Sequence, residues 1–288
     1  MSFYSWKFNR LCKKSDDKRD EGLTIPSNVQ VYKDIPYSDN KKCLLDVNIP
    51  KDFDENKNIP VIINIHGGGF VYGTKETYKF YVADLCKRGF AVVNFTYRLA
   101  PKYKFPAPLE DINAVVEWIV KNAKEYRFDL TNIFLIGDSA GAQLASQYGA
   151  IATNESYEKE FEFKVPRDIT IRAMALNCGL YSFHERPIDF KDYLGKNWDE
   201  TDNRLKVLDN ISANYPPCYV MSAAHDFLKE KAEPMCKFIQ SKGVEAKMKI
   251  YGEEKDEHML HVFHCNLKLK EADECNGDEC EFFKEYIK

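Results

Sequence analysis

Gly137-Asp138-Ser139-Ala140-Gly141 stands between an apolar, β-branched run, Asn132 to Ile136, and a helix-like stretch, Ala142 to Tyr148. A serine on a tight turn from strand to helix is held in a strained backbone conformation, and the flanking glycines let two backbones approach closely. The turn pushes the hydroxyl out above the sheet. The helix that follows aims its first-turn N–H groups at the same spot. The pattern therefore predicts a presented nucleophile with support for the negative charge that its attack creates.

The order of elements agrees with that unit. Apolar runs rich in β-branched residues recur at Gln30 to Ile35, Cys43 to Ile49, Val61 to Ile65, Phe90 to Tyr97, Asn132 to Ile136, Ile171 to Cys178, Cys218 to Ala223 and Ala246 to Tyr251. They predict eight strands. Between several of them lie helical patterns, the clearest being Leu109, Ile112, Val115, Val116, Ile119 and Val120, which repeat at three and four residues on one face. Strands alternating with helices predict an α/β fold, with a mostly parallel eight-stranded sheet covered by helices on both faces. No Pro/Gly/Ser-rich linker divides the 288 residues, so a single domain spanning 1-288 is expected.

Composition excludes several classes. Net charge is -4 with 30% charged residues, and no basic stripe interleaved with aromatics appears, so no nucleic acid partner is expected. No stretch approaches the ~20 apolar residues that span a bilayer, and the N-terminus lacks the apolar core and cleavage site of a signal peptide. A cytoplasmic location and no membrane span are the resulting expectations. The nine cysteines are scattered, odd in number and mostly embedded in apolar runs, which favours buried free thiols. Cys275 and Cys280 lie five apart in an acidic tail segment without a second ligand pair, so no metal is expected.

In sheets of this kind chemistry gathers at the carboxyl ends of the strands. There the chain places His66-Gly67-Gly68-Gly69-Phe70, the serine turn, Ala224-His225-Asp226-Phe227-Leu228, and the segment Gly252 to His264 that carries His258, His261 and His264. A serine hydroxyl needs a base to take its proton and a carboxylate to orient that base. Serine, aspartate and histidine occur here in that chain order, the order of α/β-hydrolases. The glycine loop can turn bare N–H groups toward an oxyanion, so donors are expected from Gly68, Gly69 and Ala140. His66 and Gly67 are read as support for that loop, His66 by hydrogen bonding to backbone.

Three motifs together carry a specific resemblance: His66-Gly67-Gly68-Gly69-Phe70, then Tyr97-Arg98-Leu99-Ala100-Pro101 with Phe105-Pro106-Ala107 and Asp111, then Gly137-Asp138-Ser139-Ala140-Gly141. In order and spacing the chain resembles the hormone-sensitive-lipase-like family of α/β-hydrolases over roughly residues 30 to 270. The resemblance implies a carboxylesterase acting on a small-molecule ester substrate with short or medium acyl chains, and no cofactor. It implies Ser139 as nucleophile, Asp226 as acid because Leu228 follows two positions later, and His261 as base because Phe263 does likewise. His258 and His264 are the alternative bases, read respectively as an exposed loop residue and a residue packed beneath the site. The chain departs from the family at Lys102, where glutamate is usual, and at Ala142 and Val262, where glycine is frequent.

The resemblance also implies a small helical cap, expected at about 1-25, where Phe3, Trp6, Phe8 and Leu11 form an aromatic face, and at about 180-215, with Tyr181, Phe183, Tyr193 and Trp198. An aromatic cap favours a narrow apolar pocket and a short-chain preference. Amide hydrolysis by the same triad, and a non-catalytic ligand receptor on the same fold, are the alternative functions. The last strand, Ala246 to Tyr251, offers an edge for a homodimer or an edge guarded by Lys247 and Lys249.

Overall fold

The strands form one sheet because most of them are apolar on both faces and need covering on both. The structure, a computed structural model, describes residues 3–183 and 190–288. Its strands are β1 (Val29–Pro36), β2 (Leu44–Pro50), β3 (Ile59–Ile65), β4 (Ala91–Phe95), β5 (Phe128–Asp138), β6 (Ile171–Asn177), β7 (Cys218–Ala223) and β8 (Ala246–Tyr251). They lie in the order β1-β2-β4-β3-β5-β6-β7-β8. β2 runs antiparallel to β1 and β4, and the other neighbours are parallel. All seven residues of β3 are buried, whereas β1, at the edge, is largely open to solvent.

The helices are α1 (Phe3–Asp20), α2 (Lys75–Cys86), α3 (Ala107–Tyr126), α4 (Ala140–Thr153), α5 (Glu155–Glu158), α6 (Lys191–Leu194), α7 (Ala232–Ser241) and α8 (Lys270–Lys284). Side chains alternate along each strand, so the sheet divides the core in two. Val61, Ile63 and Ile65 pack with Leu109, Ile112, Val116 and Leu144 on the face covered by α3, α4 and α7. Ile62, Val92 and Phe134 pack with Tyr81, Leu85 and Phe283 on the face covered by α2 and α8.

Two expectations need refinement. The segment read as an acidic tail is α8, with Cys275, Cys280, Phe282 and Phe283 buried; Phe283 stacks on Phe134 with centroids 4.7 Å apart. Its apolar stripe is carried partly by alanine and cysteine, which give a weak periodic signal. All nine cysteines are free thiols. Of the expected cap, Met1, Ser2 and residues 184–189 lie outside the described residues. Among the described residues no helix is long and apolar enough to cross a membrane.

Candidate active site

β5 delivers Ser139 at its carboxyl end, and α4 starts at the next residue. Ser139 has φ 54° and ψ -115°, a left-handed, strained backbone for a residue with a Cβ. Its N–H donates to the Asn177 carbonyl at 2.8 Å, and its own carbonyl accepts from Gln143 N at 3.2 Å and Leu180 N at 3.3 Å. These bonds, to β6, α4 and the segment beyond β6, hold the strained turn. A side chain at Gly141 would collide with the carbonyls of Ile65 and His66, so glycine there is what lets the elbow sit against β3.

β3 lies next to β5, with Ile65 paired to Gly137, so the glycine loop after β3 sits beside the elbow. Gly68 has φ 110°, and its carbonyl accepts from Val71 N at 3.2 Å and Tyr72 N at 3.0 Å. Among the described residues neither the Gly68 nor the Gly69 N–H donates to another protein group. Ala140 opens α4, where a first-turn N–H has no intrahelical acceptor.

The loop is braced from below. The His66 ring stacks on Tyr97 with centroids 4.0 Å apart, its Nδ1 lies 2.8 Å from the Gly67 carbonyl, and Tyr97 Oη donates to the His66 carbonyl at 2.9 Å. Complete burial pushes its pKa down to about 4, so the ring is neutral. Sequence reasoning did not find Tyr78, whose hydroxyl accepts from Gly67 N at 3.0 Å and donates to Asp138 Oδ2 at 2.9 Å. That contact spans 60 residues and leaves no local pattern. Burial raises the Asp138 pKa to about 6 against the opposing effect of the Tyr78 bond.

Asp226 follows β7, and His261 lies in the loop after β8. His261 Nδ1 is 2.7 Å from Asp226 Oδ1. The same oxygen accepts from Leu228 N at 2.9 Å, and Oδ2 accepts from Ser222 Oγ at 2.6 Å. Burial works to raise the Asp226 pKa, yet His261, Ser222 and the Leu228 N–H overcome it and hold it at about 2. Phe227 lies over the His261 ring at 4.4 Å. His258 is exposed, 3.7 Å from Glu271. His264 is buried edge-on to Tyr81, and burial first, then the nearby His261, push it down to about 3. Val262 has φ 62°, a left-handed conformation that a β-branched side chain resists, which accounts for glycine at the corresponding position of the resembling family.

Ser139, His261, Gly68 and Gly69 line one cavity of about 510 Å³. Its roof includes Phe8, Cys12, Asp16 and Arg19 of α1, and Phe190 and Tyr193 add an aromatic wall beside it. Asn9 Nδ2 donates to the Val71 carbonyl at 3.1 Å, Tyr72 Oη donates to Asp16 at 2.8 Å, and Arg19 donates to the Thr77 carbonyl at 2.6 Å. Ser5 Oγ donates to Asp192 Oδ2 at 2.5 Å, joining α1 to α6. The Tyr97-to-Pro101 motif ties the segment after β4 to α3, since Arg98 Nε meets Asp111 Oδ1 at 2.8 Å and Arg98 N donates to Asp111 Oδ2 at 2.7 Å.

The BD-FAE family model matches residues 45–241, more than half of the chain. The chain belongs to the BD-FAE family. This BD-FAE member is 26% identical over 250 residues to an acetyl esterase of Salmonella schwarzengrund, covering 79% of this chain and 73% of that protein. It is 40% identical over 91 residues to an esterase of Gibberella moniliformis, covering 31% of this chain and 29% of that protein. It spans well under two thirds of the length of several of the curated relatives it matches. A crystal structure of esterase B from Lactobacillus rhamnosis, inhibited by a tributyrin phosphonate, superposes with a TM-score of 0.89 at 22% identity, covering 98% of this chain and 94% of that one. The fold is the α/β-hydrolase fold.

Proposed function

We propose that this BD-FAE member is a serine carboxylesterase for short- to medium-chain acyl esters. The observation that carries the reading is the 2.7 Å bond between His261 Nδ1 and the anionic Asp226, on the wall of the same cavity that receives Ser139 from a strained elbow. With Nδ1 held by the carboxylate, Nε2 is the ring atom left to accept a proton. Ser139 Oγ attacks the acyl carbon and passes its proton to His261. The carbonyl oxygen becomes an oxyanion that takes hydrogen bonds from the N–H groups of Gly68, Gly69 and Ala140, which need no reorganisation as charge develops. Collapse expels the alcohol, protonated by His261. Water activated by the same imidazole then attacks the acyl-enzyme, releases the acid and restores Ser139.

The acyl preference rests on the aromatic wall. Tyr193 stacks on Phe70 with centroids 4.0 Å apart, and Phe183 and Phe190 pack around the pair, a rigid group that limits chain length. Hydrolysis of p-nitrophenyl esters from acetate to dodecanoate tests the reading, with Ser139→Ala alongside. Turnover is expected to peak at short chains and vanish in the variant. A rate that climbs steadily to dodecanoate would remove the chain-length preference. Cleavage of anilides with no ester turnover would move the assignment to an amidase.

A further inference from the structure

Four of the large hydrophobic side chains that stand exposed lie at the cavity rim or on the outer side of the helix above it. Phe227, 69% exposed, and Leu260, 55% exposed, form part of the cavity rim. Trp6 and Leu11, each at least half exposed, flank the outer face of α1 and do not line the cavity. Around them this outer face presents Lys7, Arg10, Lys13, Lys14 and Lys18 against one exposed carboxylate, Asp17, which Lys13 engages at 2.9 Å. The Arg10 guanidinium rests 5.8 Å from the centre of the Trp6 ring. This cationic face belongs to a chain whose net charge is -4, so the positive field is local to the roof.

We propose that the outer face of α1, with the cavity rim, docks on an anionic lipid surface. A helix that combines tryptophan and leucine with lysine and arginine is suited to the boundary between headgroups and acyl chains, where basic side chains meet anionic headgroups and the apolar ones enter. An acidic soluble partner would match the charges but not the apolar surface of Trp6, Leu11, Phe227 and Leu260. Engaging the rim residues Phe227 and Leu260 together with α1 brings the cavity mouth to the surface, so that an ester dissolved in the lipid enters without crossing bulk water. The docking stands independently of the esterase reading; the delivery of substrate rests on it.

The test is co-sedimentation of the full chain with phosphatidylcholine vesicles containing phosphatidylserine, and with phosphatidylcholine alone, at low and high salt. Binding is expected to the anionic vesicles and to fall with salt. The triple variant Lys7→Gln, Arg10→Gln, Lys14→Gln is expected to lose ~fivefold per basic side chain, ~100-fold in all. Trp6→Ser with Leu11→Ser is expected to weaken binding while leaving the salt dependence in place. Circular dichroism melting controls for folding in every variant, and turnover of p-nitrophenyl acetate is expected to stay at the parent's level. Absence of binding, equal binding to neutral vesicles, or unchanged binding by the triple variant would overturn the proposal. Binding to soluble polyglutamate as tight as to anionic vesicles would also overturn it and assign the face to an acidic macromolecule.

Discussion

Asp138 and Asp226 are both buried within reach of the proposed chemistry, and the protein treats them in opposite ways. Asp226 accepts from His261, Ser222 and a backbone N–H and is held at about 2; Asp138, although adjacent to Ser139, has Tyr78 as its side-chain donor and is pushed up to about 6 by burial. The difference lies in both depth and donors: Asp138 is the more deeply buried, and the bonds it receives do not offset that burial, whereas those to Asp226 do. It teaches that nearness to the nucleophile in sequence does not make a carboxylate the orienting acid. What matters is whether the fold stabilises its charge and points it at an imidazole.

The sharpest way to break this contrast is through the imidazole itself. His261→Ala is expected to lower kcat by ~10⁵- to 10⁶-fold, as removal of a triad histidine does. His258→Ala is expected to stay within ~twofold, since its exposed ring lies against Glu271, with no carboxylate bond like that of His261 to orient it. Steady-state kinetics on p-nitrophenyl butyrate reads both, and equal damage from the two would show that the base is assigned wrongly. Next comes the carboxylate pair. Asp226→Asn is expected to cost ~10⁴-fold in kcat, and Asp138→Asn less than ~tenfold, because the first turns the imidazole to the wrong tautomer while the second removes no proton acceptor.

Stability against pH sharpens the comparison with opposite signs. Between pH 2 and 4 folded Asp226 binds fewer protons than its unfolded counterpart, so its contribution is present above about pH 4 and lost as pH falls toward 2. Between about pH 4 and 6 folded Asp138 binds more protons than the unfolded chain, so wild type gains stability as pH falls through that window. Each effect is of order 2 to 3 kcal/mol. Urea unfolding of wild type beside each Asn variant measures them, and parallel pH trends would contradict the contrast. Tyr78→Phe leaves the buried Gly67 N–H without its acceptor and Asp138 without its side-chain donor. A loss of about 1 to 3 kcal/mol in unfolding free energy is expected. A fall in kcat of less than ~tenfold should accompany it, as the glycine loop loosens.

The residues that local backbone chemistry dictates were legible in the sequence. Glycines at the elbow and loop, the eight apolar runs and the α3 stripe each leave a short-range pattern, and the structure has a strand or helix at every one of the runs and the stripe. Asp226 and His261 were reached through a resemblance, and the geometry supplies a reason for its Asp-x-Leu spacing: the Leu228 N–H returns to the carboxylate. Tyr78 and the polar residues of α1 that reach the cavity were not legible, because each acts across a gap that only the folded sheet closes; Ser222 lies four residues before Asp226, but no motif marks it. Arg19 lines the cavity and donates to the carbonyl of Thr77, in a helix 58 residues away. α8 was hidden by composition, since glutamates surround its buried cysteines and one of them, Glu279, is itself buried and raised to about 8 by that burial.

Strand order carries a further consequence. Ser139 and the glycine loop hang from β5 and β3, interior neighbours that are each laddered on both sides, whereas the His261 loop follows β8, which among the described residues has one neighbour. Local opening is drawn from the less buried parts of a fold, and β8, with exposed and half-buried residues along it, is expected to open before the fully buried β3. Loss of turnover should therefore set in some degrees below the global melting transition and reverse on cooling, with the serine still correctly poised. The temperature ceiling of the proposed activity would then be set at the rim of the sheet, and thermal adaptation could proceed by reinforcing β8 while the centre stays untouched.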